Sequence, residues 1–242
     1  MRRLRLDDTL IRQGIVGDKK EAFIIVTEGR VTIDGQKAVT PAQVVSPNAV
    51  VQVREALPYV GRGAYKLAAA LSAFPVVVAG KICADVGAAT GGFTQVLLER
   101  GAAKVYAIDT ARGKLAFKIR QDARVVVMEE TDVRDLASLP ELVDLAVIDI
   151  SLISLRDILP SVRRLIHAEG SVVALFKPQY EVRDPALLRH GIVRDDETRE
   201  QLRADFMAWA TGNGWRITGE ITSPIRGSKG NTEYLFHLIP KK

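Results

Sequence analysis

The chain has 242 residues, 47% hydrophobic and 26% charged, with a single cysteine and a formal net charge of +5. That suits one α/β domain plus a small appendage in a globular protein, and it excludes an intramolecular disulfide framework or a Cys-rich metal site. No apolar run reaches the roughly 18–20 residues of a membrane span, and Met1-Arg-Arg-Leu-Arg-Leu-Asp-Asp lacks the apolar stretch of a secretory leader, so a cytoplasmic location is the default expectation.

Leu6, Leu10 and Ile11 have helical spacing, which predicts a helix over Asp7–Gln13 stopped by Gly14. A second short helix is expected over Lys19–Thr27, ended by Gly29. Val31–Ile33 runs into Asp34-Gly35, a hairpin turn signal, and Val44-Val45 and Val50–Val53 supply further strand. Residues 1–56 thus read as a small α+β unit with a basic surplus. A linker is expected at 57–63, where Pro58, Gly61 and Gly63 punctuate the backbone.

From 64 to 242 the pattern alternates. Strands are expected at Ile82–Val86, Val105–Ile108, Val125–Met128, Leu145–Ile148 and Ser171–Phe176. Helices are expected at Gly92–Arg100, Arg112–Ile119, Leu155–Ile166 (Ser154 as N-cap) and Glu197–Thr211. Such alternation gives a doubly wound, mostly parallel Rossmann-like sheet. Trp215–Ile221 and Tyr234–Leu238 are joined by a long loop without a helix, so the last strand should run antiparallel beside its predecessor. Methyltransferase sheets close this way and dehydrogenase sheets do not.

Asp85-Val-Gly-Ala-Ala-Thr-Gly-Gly-Phe-Thr follows the first of these strands and opens a helix. Its Gly-x-x-x-Gly-Gly spacing is neither the dinucleotide fingerprint nor a Walker loop. Gly87 permits a tight turn, and Gly91 and Gly92 let a ligand approach the backbone. Asp109 ends the second strand, where a carboxylate can accept both ribose hydroxyls of an adenosine, and Asp132 follows the third, where it can accept from an adenine amino group. Turn and acids together point to S-adenosylmethionine, with Asp85, Gly87, Ala89, Thr90, Gly91, Gly92, Phe93, Asp109, Asp132 and Asp149 as candidate cofactor contacts.

Two more strand ends carry charge, at Asp149 and Lys177; Lys66 precedes the sheet and Glu233 opens the last strand. In a doubly wound sheet these four can converge beside the cofactor. A ribose 2′-hydroxyl is a weak nucleophile and must lose its proton as it attacks a methyl group. Lys177 is the expected base or orienting group, Lys66 a neighbouring cation that helps lower its proton affinity, and Asp149 and Glu233 orient the amines. Asp149-Ile-Ser-Leu is not the Asn/Asp-Pro-Pro-Tyr of amine methylation, Cys83 lies inside a strand, and the three histidines have no ligand spacing, so base-nitrogen chemistry, a cysteine nucleophile and a metal are not expected.

The series Lys66, Asp149, Lys177, Glu233 resembles the Lys-Asp-Lys-Glu tetrad of FtsJ/RrmJ-like ribose 2′-O-methyltransferases. More closely, nearly the whole chain resembles the TlyA family, also labelled haemolysins. Arg5-Leu-Asp, Gly14, Lys19, Ala22, Gly29 and Asp34-Gly35 look like the small RNA-binding domain named after ribosomal protein S-four. The later landmarks are Asp149-Ile-Ser-Leu-Ile-Ser-Leu, Phe176-Lys-Pro-Gln-Tyr-Glu, Gly191-Ile-Val-Arg-Asp and Ser223-Pro-Ile-Arg-Gly-Ser-Lys-Gly-Asn-Thr-Glu. Two positions depart: Gly61-Arg-Gly-Ala stands for the family's Ser-Arg-Gly-Gly, and Leu152 for a Phe.

The resemblance implies cytidine 2′-O-methylation in small- or large-subunit ribosomal RNA, with the four tetrad residues catalytic. Ribosomal RNA or ribosomal subunits are then the partner, with no obligate protein partner. RNA should be gripped through phosphates by Arg2, Arg3, Arg5, Arg12, Lys19, Lys20, Arg62, Arg226 and Lys229. The rivals are a non-catalytic RNA-binding or assembly protein that keeps the fold, and a methyltransferase acting on another substrate. The small basic domain argues against a small-molecule substrate, and the intact tetrad against a dead enzyme.

Overall fold

The computed structural model of the protein describes residues 4–27, 29–54, 58–193 and 195–241. It divides into a first unit, through Pro58 together with Ala116–Gln121, and a second comprising Tyr59–Leu115 and Asp122–Lys242.

In the first unit, β1 (Leu4–Arg5), α1 (Leu6–Arg12), α2 (Lys19–Thr27), β2 (Val31–Ile33), β3 (Gln36–Lys37), β4 (Val44–Val45) and β5 (Val51–Val53) follow one another. β1 pairs with β4, and β3, β2 and β5 form a separate small sheet. The helical spacing works as expected: Leu6 and Leu10 of α1 are fully buried against Ala22, Ile25 and Val26 of α2. Asp34 takes a left-handed φ of 50° and Gly35 one of 81°, the geometry a tight hairpin between β2 and β3 requires.

The second unit opens with α3 (Gly63–Ala73), then β6 (Ile82–Val86), α4 (Gly92–Glu99) and β7 (Lys104–Ile108). Between β7 and β8 (Val125–Met128) the chain passes through α5 (Phe117–Arg120), which belongs to the first unit; β9 (Val143–Ile148), α6 (Leu155–Leu165) and β10 (Ile166–Phe176) come next. The chain ends with α7 (Pro178–Glu181), α8 (Asp196–Gly212), β11 (Trp215–Thr222) and β12 (Tyr234–Pro240). The seven-stranded sheet has the order β8-β7-β6-β9-β10-β12-β11. β6 to β10 pair in parallel, and β12 runs antiparallel to both β10 and β11. This is the α/β sheet with a reversed last strand that the alternation of elements implied.

Besides the short β1, β3 and α7, which were not expected, four stretches differ from expectation. Residues 59–63 are not a free linker but pack within the second unit: Val60 N–H donates to Gln95 Oε1 at 2.9 Å, and the Tyr59 and Tyr65 rings meet edge-on at 5.0 Å. The helix beginning at Gly63 is not among the expected elements; it buries Ala64, Leu67, Ala70 and Leu71 along one stripe. In place of the helix expected over Arg112–Ile119 there is only the single turn Phe117–Arg120, the positive φ of Gly113 (69°) interrupting the run. α6 ends at Leu165, and β10 begins at Ile166 rather than Ser171, its register with β9 broken between Ile166 and Ser171. Ser154 caps α6 as expected, accepting from Arg156 N–H.

The main core lies between this sheet and its helices. Phe176, fully buried at the end of β10, packs on Phe206 of α8 (5.0 Å) and Phe236 of β12 (5.7 Å). Truncating such an aromatic costs about 3–5 kcal/mol. The strand end that carries Lys177 is therefore firmly anchored.

Candidate active site

Strand ends place the charged residues. β9 delivers Asp149, β10 delivers Lys177, and Glu233 stands just before β12. α3 supplies Lys66 from a position adjoining its buried stripe. The four form two ion pairs. Lys66 Nζ lies 2.5 Å from Glu233 Oε2, and Lys177 Nζ lies 2.6 Å from Asp149 Oδ1. Lys177 also donates to Ser151 Oγ at 3.1 Å and sits 5.8 Å from the centre of the Tyr180 ring. All four line one cavity of about 620 Å³, in the range of small-molecule sites.

The glycine-rich turn lines the same cavity through Gly87, Ala89, Thr90, Gly92 and Phe93. Gly87 has φ +90°, and a Cβ there would lie 2.5 Å from the Asp149 carbonyl oxygen. Gly91, also at φ +90°, is the N-cap of α4. Outside the turn, a Cβ on Gly61 would come within 2.4 Å of Thr90 Oγ1, and one on Gly63 within 3.3 Å of Asp149 Oδ2. Gly61 and Gly63 thus serve close approach between the start of α3 and the turn, not chain flexibility.

The other acids sit around the turn and outside the cavity lining. Asp85 is fully buried; Thr94 Oγ1 donates to its Oδ2 at 2.5 Å, and its Oδ1 has no hydrogen-bond partner. Burial, with the nearby Asp149 charge adding to it, pushes the Asp85 carboxyl up to about 7. Asp109 Oδ2 accepts from Ala89 N–H and Oδ1 from Ala111 N–H, each at 2.7 Å, so it pins the turn from beyond β7. Asp132 is ion-paired with Arg134 at 2.6 Å, and that hydrogen bond holds its carboxyl below the usual carboxylate range.

Among the basic candidates, Arg62, Arg226 and Lys229 line the cavity, and Arg62 Nη2 donates to the Arg226 carbonyl at 2.9 Å. In the first unit Arg5 is tied to Asp7 (2.7 Å) and Lys19 to Asp8 (3.2 Å), while Arg12 and Lys20 are exposed. Arg2 and Arg3 lie outside the described residues. The structure adds residues that sequence reasoning did not single out. Ser151 meets Lys177; Gln179 and Tyr180 line the cavity beside it. Asn231, nearly fully buried, accepts from Val193 N–H (3.0 Å) and donates to the Gly191 carbonyl (2.9 Å), so it staples that segment to the loop before Glu233. Their sequence signals are that they fall inside the family landmarks quoted above and that Ser151 and Asn231 each lie two positions from a tetrad carboxylate.

The family model described as FtsJ-like methyltransferase matches residues 59–239, nearly all of the second unit. The chain belongs to that family. Its FtsJ-like methyltransferase relatives extend over the first unit as well. It is 42% identical to the 16S/23S rRNA (cytidine-2′-O)-methyltransferase TlyA of Mycobacterium tuberculosis, over 98% of this chain and 90% of that one. It is 35% identical to Hemolysin A of Brachyspira hyodysenteriae, over 98% of this chain and all of that one. A solved structure from Streptococcus thermophilus that bears a hemolysin label is 36% identical, with a TM-score of 0.74 over all of this chain and 90% of that one. Among the described residues of this FtsJ-like methyltransferase, no helix is long and apolar enough to cross a membrane.

Proposed function

We propose that the protein transfers a methyl group from S-adenosylmethionine to the 2′-hydroxyl of a cytidine ribose in ribosomal RNA. The observation that carries this reading is the cavity itself: two lysine–carboxylate pairs share it with a glycine-rich turn at the carboxyl ends of the strands. The kinship with a cytidine 2′-O-methyltransferase that covers both units supports the substrate class.

The turn suits the cofactor. Gly87 and Gly91 hold a positive φ that glycine adopts without strain, and the buried Asp85 Oδ1 still lacks a partner. Asp109 uses one donor on each oxygen, which leaves lone pairs for ribose hydroxyls. Asp132, both of whose oxygens accept from Arg134, is the proposed acceptor for the adenine amino group in exchange for one of those bonds. When bound, S-adenosylmethionine supplies an electrophilic methyl group.

The chain's residues then handle the other reactant. Ser151 Oγ against Lys177 Nζ marks where an alcohol oxygen meets this amine. The substrate hydroxyl occupies such a position; Lys177 orients it and, as the neutral amine left once its ammonium has given a proton to water, receives the hydroxyl proton as the carbon–oxygen bond forms. Asp149 fixes the Lys177 amine, while Lys66 and Glu233 fix α3 against the head of β12. Arg226 and Lys229 meet the phosphates beside the target nucleotide, and Arg12 and Lys20 are phosphate contacts of the S-four-type unit in its own right.

The test is incubation of isolated small and large ribosomal subunits with methyl-labelled S-adenosylmethionine, followed by mapping of the label. Label in the RNA of either subunit is expected. Cofactor binding without transfer to either subunit would favour an RNA-binding or assembly role instead.

A further inference from the structure

The pairing of β9 with β10 ends at Ile148 opposite Ala174. Asp149, Ser151 and Lys177 all lie beyond that point, where no strand register fixes one chain against the other. A side chain joins them there. Glu181 closes α7, four residues after Lys177, and is 8% exposed. Its carboxylate crosses to the head of α6: Oε2 accepts from Ser154 Oγ at 2.6 Å and Oε1 from Leu155 N–H at 2.8 Å. Arg156 Nε stands 3.6 Å from Oε2.

A plain helix-capping role does not account for this arrangement. α6 already has its own N-cap in Ser154, which accepts from Arg156 N–H at 3.1 Å. The extra acceptor comes from another element and buries a carboxyl group, which raises its proton affinity against the hydrogen bonds that hold it. The segments it joins are those that bring Lys177 to Asp149 (2.6 Å) and to Ser151 (3.1 Å).

We propose that Glu181 is a positioning residue for methyl transfer: by tying the turn after Lys177 to the head of α6, its carboxylate holds Lys177 Nζ against Asp149 and Ser151. The proposal rests on the reading of the site given above. Its consequence is that Glu181 acts on the rate of the bound complex and not on binding, because it touches neither the cavity wall nor the basic residues assigned to RNA.

The experiment compares wild type, Glu181→Ala and Glu181→Gln in the full chain, with ribosomal subunits and labelled S-adenosylmethionine. Glutamine can still accept from Leu155 N–H and meet Ser154 Oγ. The Ala variant should lose about 10- to 100-fold in kcat with both KM values within about twofold of wild type, and Gln should recover kcat to within about threefold. A merely structural role would lower the melting temperature and leave kcat of the folded protein near wild type. An Ala variant within about twofold of wild-type kcat overturns the proposal, as does a Gln variant no better than Ala. Should Glu181→Ala not fold, Ser154→Ala removes one partner of the carboxylate: a loss of about 3- to 10-fold in kcat at unchanged KM is expected, and unchanged kcat overturns it. Wild-type protein that labels no ribosomal RNA refutes the reading of the site, and this proposal with it. Wild-type activity with an unaffected Glu181→Ala refutes the proposal alone.

Discussion

The two lysine–carboxylate pairs have the same charges and nearly the same lengths, yet they meet water differently. The Lys66 and Glu233 side chains are 9% and 3% exposed; Lys177 is 8% exposed, but its partner Asp149 is 22% exposed. The closed pair joins a helix to the head of the last strand and is capped by Gly227, where a Cβ would lie 2.5 Å from Glu233 Oε1. The open pair joins two parallel strand ends and already holds a hydroxyl, that of Ser151. A buried pair is a framework element whose breakage leaves an uncompensated charge. A pair with one open carboxylate can exchange a hydrogen-bond partner for substrate. On the proposed reading, that difference gives proton handling to Lys177 and scaffolding to Lys66 and Glu233.

The strongest way to break that division is Lys177→Ala. Methyl transfer should fall by about 10²- to 10⁴-fold, the usual reach of a positioned acid–base group, while calorimetry finds cofactor affinity nearly unchanged. Next comes Lys66→Ala, expected to cost about 3–5 kcal/mol of stability by denaturant titration because Glu233 stays buried without its cation. The double variant Lys66→Met/Glu233→Leu sharpens the point. It should recover most of that stability and, with the scaffold restored, much of the activity; stability recovered without activity would show that the closed pair does more than scaffold.

Asp85 offers a third, smaller comparison, a buried carboxyl near Asp149 with no lysine of its own. Its pKa of about 7 in the folded protein lies above the unfolded value, so the folded state holds the proton longer. Its contribution to stability is therefore full below about pH 4 and is lost as pH rises toward 7, a change on the order of 4 kcal/mol. Melting curves of Asp85→Asn should show a weaker decline than wild type across that window. The smallest effect concerns the RNA grip: changing the exposed Arg12 and Lys20 to Gln should flatten the salt dependence of RNA binding by about 0.7–0.9 for each phosphate no longer neutralised. An unchanged slope would remove those residues from the interface.

The open pair was far more legible in the sequence than the closed one. Asp149 and Lys177 each follow an unbroken apolar run, 145–148 and 172–176, and a doubly wound sheet sends such positions to one edge. Lys66 gave no such signal. It lies on an alanine-rich helix whose start, Gly61-Arg-Gly, looks like a linker, and the reason for those glycines is a tertiary one: Thr90 and Asp149 leave no room for a Cβ. The order of strands followed from alternating periods, but the extra length of β10 did not. There Gly170 passes tightly between the His167 and Asp144 carbonyls, and only the neighbouring strand makes that visible. Side-chain ties across the rim, such as Asn231 and Ser151, depend on distances that no spacing rule encodes.

The most direct test of the central claim is the chemical position of the transferred methyl group. Ribosomal RNA labelled by the protein is hydrolysed in alkali, and the products are separated. A methyl group on the 2′-oxygen blocks cleavage of the adjacent phosphodiester, so the label should appear in an alkali-stable dinucleotide that begins with cytidine. Label in an ordinary mononucleotide, carried on the base, would contradict the account.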